Sequence, residues 1–207
     1  FCLSRGLGDV YKRQEQKYYN ESYIQGYVSS IGYGDGKVYV GYDNGRVQAF
    51  DENTLESLWI TDENKNAINS DFVFTNGKLY FGTTAKTTDW YDNGAPFSYY
   101  VVTTSDDDKT KPDEEKIMKK VVESKTGKFY LKKGVVLGKY IVISDTAGTL
   151  TMIDTTNDKV TDTKDIGEAF SGNITYDEMT GTIYFVAGTN DCLLYTSPSP
   201  RDRQKSR

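Results

Sequence analysis

The sequence predicts an all-β fold built from one antiparallel four-stranded unit used about four times. Three observations predict it. First, a glycine-led apolar phrase recurs: Gly36-Lys37-Val38-Tyr39-Val40-Gly41, Gly77-Lys78-Leu79-Tyr80-Phe81-Gly82, Gly138-Lys139-Tyr140-Ile141-Val142-Ile143 and Gly181-Thr182-Ile183-Tyr184-Phe185-Val186. Second, the anchor glycines stand 41, 61 and 43 residues apart, and the short spacings match the period of about 40–45 expected for four-stranded blades. Third, these runs are continuously apolar rather than alternating, as strands are when both faces are covered. The expected architecture is a partial β-propeller of about four blades stacked face to face.

The first unit shows the pattern most clearly. Residues 27–33 read as a strand, and 37–42 and 46–51 as a hairpin. Asp43-Asn44-Gly45 between them is a turn, because Asn-Gly tolerates the positive φ of hairpin turns. Asp51 to Thr54 forms the next turn, and 56–60 is a fourth strand with Trp59 near its end. The second unit starts at Asp71. Its hairpin loop, 83–96, is long and carries a second Tyr-Asp-Asn-Gly, and 97–103 is the return strand. A charged insertion at 105–116 precedes its closing strand at 116–124; a solvated loop is the expectation for it. Taking about 20 residues for these two insertions brings the outlying 61-residue spacing back to the common period. The third unit reads as strands at 134–137, 138–143, 149–154 and 159–164, with a turn at 144–148 that contains Gly148. The fourth reads as 172–176, a turn at 177–180, and 181–186.

The termini follow a different logic. Ser4 to Gln14 and Cys192 to Asp202 can be encoded by one DNA segment read in opposite orientations, shifted by one base. That segment resembles a transposase-type sequencing-library adapter. Residues 1–14 and 192–207 are therefore expected to be adapter-derived rather than native, and 15–191 to be a bacterial metagenomic segment cut at both ends. Setting the ends aside removes both cysteines, Cys2 and Cys192, and with them any disulfide framework, thiolate metal site or cysteine nucleophile. It also removes seven of the 25 basic and two of the 30 acidic residues, leaving 18 against 28, a net charge of −10. Such a balance argues against binding nucleic acid, which needs clustered Lys and Arg. The chain has 0 histidines, so the commonest general base and metal ligand is missing. No apolar run is long enough to cross a bilayer, so no membrane insertion is expected within 15–191.

The stretch 36–59, GKVYVGYDNGRVQAFDENTLESLW, resembles the PQQ-like (quinoprotein-type) β-propeller repeat. Gly45, Ala49, Asp51, Thr54 and Trp59 match its core, and Gly148 and Asp154 match in the third unit. The third unit departs at Thr156 to Asp158 and lacks the tryptophan, and the second keeps only the Gly77 to Gly82 strand. The layout of long loop and acidic insertion is similar to surface-exported repeat proteins of gut anaerobic bacteria. The resemblance implies a non-catalytic binding or scaffold module, secreted or at the cell surface, holding a protein or a polysaccharide through its loops. Missing blades of its own chain are a further expected partner. The alternative it implies is a fragment of a PQQ-dependent dehydrogenase whose active-site blades are absent. Enzymes of that kind are similar to each other in a vicinal disulfide, a calcium site and an aspartate base beside a stacked tryptophan. No such set can be assembled from these residues, so no cofactor, metal or catalytic residue is expected. Trp59 is instead expected as a wedge between blades.

Among candidate sites, Asp62 to Ala67 resembles the start of a calcium loop, but it lacks the glycine after Asn66, and Val73 stands where the bidentate carboxylate belongs. A solvated loop between blades is the expectation there. Asp51 and Asp154, ending equivalent strands, are expected to cap the turns that follow. The stretch that points to binding is the long loop with Trp90, Tyr91 and Asp92, because exposed aromatics on a rigid scaffold build recognition faces. Gly36, Gly41, Gly45, Gly77, Gly82, Gly138, Gly148 and Gly181 are expected to serve the repeat's turns and packing.

Overall fold

A computed structural model describes residues 30–86, 96–105, 115–124, 128–130, 132–166, 174–187 and 193–198. The described residues form β-strands, turns and connections, with no helix among them. Blade 1 contains β1 (Ile31–Gly34), β2 (Lys37–Gly41), β3 (Val47–Asp51) and β4 (Ser57–Ile60). Blade 2 contains β5 (Val73–Thr75), β6 (Lys78–Gly82), β7 (Ser98–Thr103) and β8 (Lys119–Glu123). Blade 3 contains β9 (Val135–Leu137), β10 (Tyr140–Ser144), β11 (Thr149–Asp154) and β12 (Lys159–Asp165). The fourth sheet contains β13 (Thr175–Asp177), β14 (Thr182–Ala187) and β15 (Leu193–Pro198). Every neighbouring pair within a sheet is antiparallel, in sequence order.

The first strands β1, β5, β9 and β13 are neighbours in space from blade to blade. They form the inner edge of the arc, while β12 is exposed along its whole length at the outer edge of blade 3. Side-chain alternation then buries both faces of β6 and β10, whereas β2 buries Tyr39 and leaves Val38 and Val40 partly exposed. In blade 1, Tyr39, Ala49 and Trp59 face blade 2, where Phe72, Leu79, Phe81, Val102 and Met118 meet them. In blade 2, Tyr80, Tyr99 and Val101 face blade 3 and meet Ile141, Ile143 and Ile153. In blade 3, Val142 and Leu150 meet Ile183 and Phe185 of the fourth sheet. Aromatic rings settle on glycines across the first seam: a Cβ on Gly34 would lie 2.4 Å from the Phe74 ring, and one on Gly32 2.8 Å from Phe72. Glycine there lets the next blade's rings approach the backbone.

The repeat glycines do two different jobs. Asp35 and Gly36 (φ 56° and 68°) and Asn76 and Gly77 (φ 53° and 67°) form two-residue hairpin turns with both residues left-handed. Gly138 (φ 61°) is instead the first of the two turn residues between Leu137 and Tyr140, and Lys139 is not left-handed. Blade 3 is therefore offset by one residue from an alignment on its glycine. Ile141 and Ile143, not Tyr140 and Val142, hold the places of Leu79 and Phe81.

The sequence reading places the adapter-derived end at 192–207, and β15 falls within it. Leu193 to Pro198 pairs along β14 from Ala187 to Thr182. Such pairing draws on backbone amides and carbonyls at an open sheet edge, which any extended apolar segment can supply.

Candidate binding face

The β2–β3 type connections and the links between blades share one end of the strands. There the long loop leaves blade 2, and its stem is held by a dense set of short bonds. Thr83 and Ser98 clamp it: Thr83 N donates to Ser98 O (3.0 Å), Ser98 N donates to Thr83 Oγ1 (2.8 Å), and Thr83 Oγ1 donates to Ser98 O (3.0 Å). One residue further out, Thr84 exchanges backbone hydrogen bonds with Ala67 of the incoming link, at 2.9 and 3.0 Å. Asn66 Nδ2 donates to Pro96 O on the returning side (3.1 Å). Below the clamp, Phe97 packs edge-on against Phe129 with ring centres 4.6 Å apart. Thr83, Thr84, Asn66, Ala67 and Phe97 are all buried.

The link from blade 1 to blade 2 differs from its solvated-loop expectation. Asn66, Ala67 and Ile68 are buried, and the oxygens that suggested calcium chemistry are turned to the protein. Asn64 Oδ1 accepts from Asn66 N (2.9 Å), and Asp62 Oδ1 accepts from Met118 N (2.8 Å). The cause is Gly45 in the blade 1 hairpin: its φ of 85° opens a notch into which the link's backbone fits, with Asn64 O 2.0 Å from where a Cβ would stand. Gly41 and Gly82 do the same for Ile68 and Tyr130, the link residues that donate backbone hydrogen bonds to Tyr42 O and Thr83 O.

Part of the charged insertion departs from its expectation as well. Lys116 is buried rather than solvated, and its ammonium lies 5.1 Å from the centre of the Trp59 ring. It also donates to Thr103 O (3.2 Å) and to Ser105 O. The backbone around it joins blade 1: Lys116 N donates to Ile60 O (2.8 Å) and Asp62 N donates to Lys116 O (2.9 Å). Arg46 secures the same strap, donating to Thr61 O (2.8 Å) and to Glu115, with Glu63 3.6 Å away. Burial of an ammonium is tolerated here because carbonyl oxygens and an aromatic face replace its water.

Trp90, Tyr91 and Asp92 lie outside the described residues, as do Asp106, Asp107, Asp108, Asp113 and Glu114. Trp59 is buried between blades 1 and 2, tilted against Tyr39 at 5.8 Å, and its Nε1 has no partner among the described residues. Asp51 Oδ1 accepts from Asn53 N and Thr54 N, both at 2.9 Å, which closes the following turn. Asp154 Oδ1 likewise accepts from Thr156 N (2.9 Å) and Thr156 Oγ1 (2.6 Å), and its Oδ2 from Lys139 Nζ (2.7 Å). Gly148 (φ 95°) and Gly181 (φ 67°) close their hairpins. Sequence reasoning missed the Thr83–Ser98 clamp and the Asn66–Pro96 tie. A hydroxyl residue at each foot of a long hairpin insertion was the available signal.

Beneath the clamp, Tyr99 and Tyr130 pack at 5.5 Å, and burial pushes both phenols well above the ordinary tyrosine range. They stay neutral and act as packing. The arrangement supplies a platform for a loop, with Thr83, Thr84, Ser98 and Asn66 engaged in holding the stem.

No protein-family model matches the chain, and no curated protein matches it. Among solved structures, it is similar to the computationally designed Ika8 protein, with a TM-score of 0.56 and 12% identity over 82% of this chain and 45% of that one. It is similar to the computationally designed Ika4 protein, with a TM-score of 0.58 and 11% identity over 84% of this chain and 92% of that one. It is also similar to the β-propeller domain of Cps50 (Swd1) of Myceliophteria thermophila, with a TM-score of 0.52 and 12% identity over 88% of this chain and 52% of that one. The chain thus spans less than half of the Ika8 chain and about half of the Swd1 one. At these identities the likeness is one of fold, and that fold is a β-propeller.

Proposed function

We propose that this chain is a non-catalytic binding or scaffold module of an exported or cell-surface bacterial protein, and that it holds a protein or a polysaccharide through its loops. One observation carries the reading: the loop with Trp90, Tyr91 and Asp92 springs from a buried stem that hydrogen bonds tie across its two sides and to the incoming link. A stem fixed in this way lowers the entropy cost of presenting aromatic side chains to a ligand. The likeness of 36–59 to PQQ-like repeats supports the same reading, since propellers of that kind also serve as binding platforms.

The test is a binding screen of the full chain on immobilised polysaccharides and surface proteins, with Trp90→Ala and Tyr91→Ala made singly and together. The expected result is a ligand whose affinity falls at least tenfold in the double variant while the far-ultraviolet circular dichroism is unchanged. A ligand held equally well by the double variant, or conversion of a substrate by the purified chain, overturns the reading.

A further inference from the structure

The chain holds three Asn-Gly pairs, at 44, 76 and 93. Asn93 lies outside the described residues. Hairpin turns favour this pair for its positive φ, but the pair also has a chemistry of its own. With no side chain on the glycine, its backbone nitrogen can reach the amide carbon of the asparagine. The fold decides how often it does so, through how readily the turn opens and how freely the side chain swings.

The two described pairs stand in opposite surroundings. Gly45 is buried in its notch under the link, and both its backbone groups are engaged: N donates to Tyr42 O (3.0 Å) and O accepts from Asn64 N (2.9 Å). Asn44 Oδ1 accepts from Arg46 N (3.2 Å), which folds the side chain back on its own turn. Opening this turn means lifting the link off blade 1. Asn76 and Gly77 are both exposed, and a Cβ on Gly77 would meet nothing within 4 Å. Gly77 O accepts from Thr104 N (2.9 Å), but Gly77 N donates to no described residue. The Asn76 side chain is held across the seam with blade 3, where its Nδ2 donates to Thr155 Oγ1 (2.9 Å).

Blade 1 shows the same turn with an acid in place of the amide. Asp35 and Gly36 correspond to Asn76 and Gly77. Asp35 Oδ2 accepts from Thr104 Oγ1 of the next blade (3.1 Å), as Asn76 meets Thr155. Lys37 Nζ stands 3.4 Å from that oxygen, and Lys78 holds the place of Lys37 in blade 2. A carboxylate at 76 would thus have a hydroxyl donor and an ammonium beside it. Thr155 Oγ1, which donates to Lys139 O (2.8 Å), would turn its hydrogen to the new acceptor. Lys78, paired with Asp158 at 2.7 Å, would be shared between two carboxylates.

From this we infer that Asn76 is a site of spontaneous covalent modification by deamidation, and that the folded chain directs the reaction there rather than to Asn44. When the turn opens, Gly77 N gives up its proton and bonds to Asn76 Cγ. The Cγ–Nδ2 bond breaks, and the departing nitrogen takes up a proton and leaves as ammonia. Water then opens the five-membered imide at either carbonyl, giving aspartate at 76 or its isoaspartyl isomer. The reaction consumes water and releases ammonia, and needs nothing else. The aspartate form fits the pattern of Asp35. The isoaspartyl form adds a carbon to the backbone, and a two-residue turn closed by the Thr75↔Lys78 pair takes it only by loosening that end of blade 2.

The test is incubation of the full native chain in mildly alkaline buffer, then digestion at acid pH and tandem mass spectrometry of the peptides that hold Asn44 and Asn76. Asn76 is expected to exchange amide for acid at least about tenfold faster than Asn44. In concentrated guanidinium chloride the two sites should react within about threefold of each other, since the fold alone separates them. Thr155→Val removes the acceptor and should speed Asn76 further, while Asn44 stays slow and so reports that the rest of the fold is intact. Asn76→Asp should fold, with the far-ultraviolet circular dichroism of the parent. Equal rates at the two sites of the native chain overturn the inference. So does faster reaction at Asn44, or an Asn76 that reacts in guanidinium but not in the native chain. An Asn76→Asp chain that fails to fold overturns the fit of the aspartate product to the pattern of Asp35.

Discussion

Asp158 and Lys78 meet across the seam between blades 2 and 3, with Oδ1 2.7 Å from Nζ. The same carboxylate accepts from Tyr80 Oη at 2.7 Å and from Lys119 Nζ at 3.2 Å. Its side chain is only 11% exposed and Lys78's is 21%, so the pair is much less screened than a surface ion pair. Asp158→Asn keeps a residue that tolerates the left-handed turn but removes the charge. It is expected to cost about 1–2 kcal/mol, the usual loss when a charged hydrogen-bond network is broken. Urea unfolding of the variant against the parent checks this. No change in midpoint would mean that the apolar contacts alone set the seam.

Gly45 and Gly77 both have positive φ, 85° and 67°, yet they are not equivalent. A Cβ on Gly45 would stand 2.0 Å from Asn64 O and 2.6 Å from Asn66 O, while one on Gly77 meets nothing within 4 Å. Gly77→Ala is expected to cost about 1–2 kcal/mol, the conformational term alone. Gly45→Ala adds a backbone clash that only displacement of the whole link relieves, and is expected to cost more than about 4 kcal/mol or to prevent folding. Thermal unfolding of the two variants side by side separates the terms, and equal losses would refute the notch.

Much of this arc was legible because its middle strands are apolar on both faces and its turns use Asn, Asp and Gly. Gly138 shows the limit. Glycine marks a turn but not the position within it, and the type of turn moved blade 3 by one residue, which exchanges its two faces. Lys116 shows another. Nothing in its charged surroundings told that its ammonium would close over Trp59, because that contact depends on a strap crossing from blade 2 to blade 1. The loop stem was hidden for a similar reason: Asn66 and Pro96 are 30 residues apart and meet only once two blades have stacked.

Trp59 gives a direct optical check of the first seam. The chain has 2 tryptophans, so Trp90→Phe leaves Trp59 as the sole reporter. Buried among Tyr39, Phe81 and Met118, it is expected to emit at short wavelength and to resist iodide quenching. Trp59→Ala is expected to cost about 3–5 kcal/mol through the cavity it leaves. Trp59→Phe is expected to cost less than about 2 kcal/mol, because Nε1 has no partner to lose. Lys116→Met in the Trp90→Phe background should shift the emission, since the ammonium over the ring is gone. An unshifted spectrum would place Lys116 elsewhere in solution.

Stability should fall at both ends of the pH scale, for opposite reasons. Lys139 and Thr156 hold the Asp154 carboxyl down at about 2. For Asp158, burial acts upward, but hydrogen bonds from Lys78, Tyr80 and Lys119 outweigh it and leave the group below its ordinary value. A depressed carboxyl stabilises the fold above its unfolded pKa near 4, and that contribution is lost as pH falls towards 2. At the alkaline end, burial pushes Tyr80, Tyr99 and Tyr130 upward, with the Asp158 hydrogen bond adding to the effect on Tyr80. A raised phenol stabilises the fold fully below about 10 and loses that contribution as pH rises further. The urea midpoint is therefore expected to be level between about 5 and 9 and to fall on either side. Asp154→Asn should lower the plateau and flatten the acid limb while leaving the alkaline limb in place. In an absorbance titration, these three of the 17 tyrosines should ionise only as the chain unfolds. Smooth titration of all tyrosines from a folded chain would mean that water reaches the seam between blades 2 and 3.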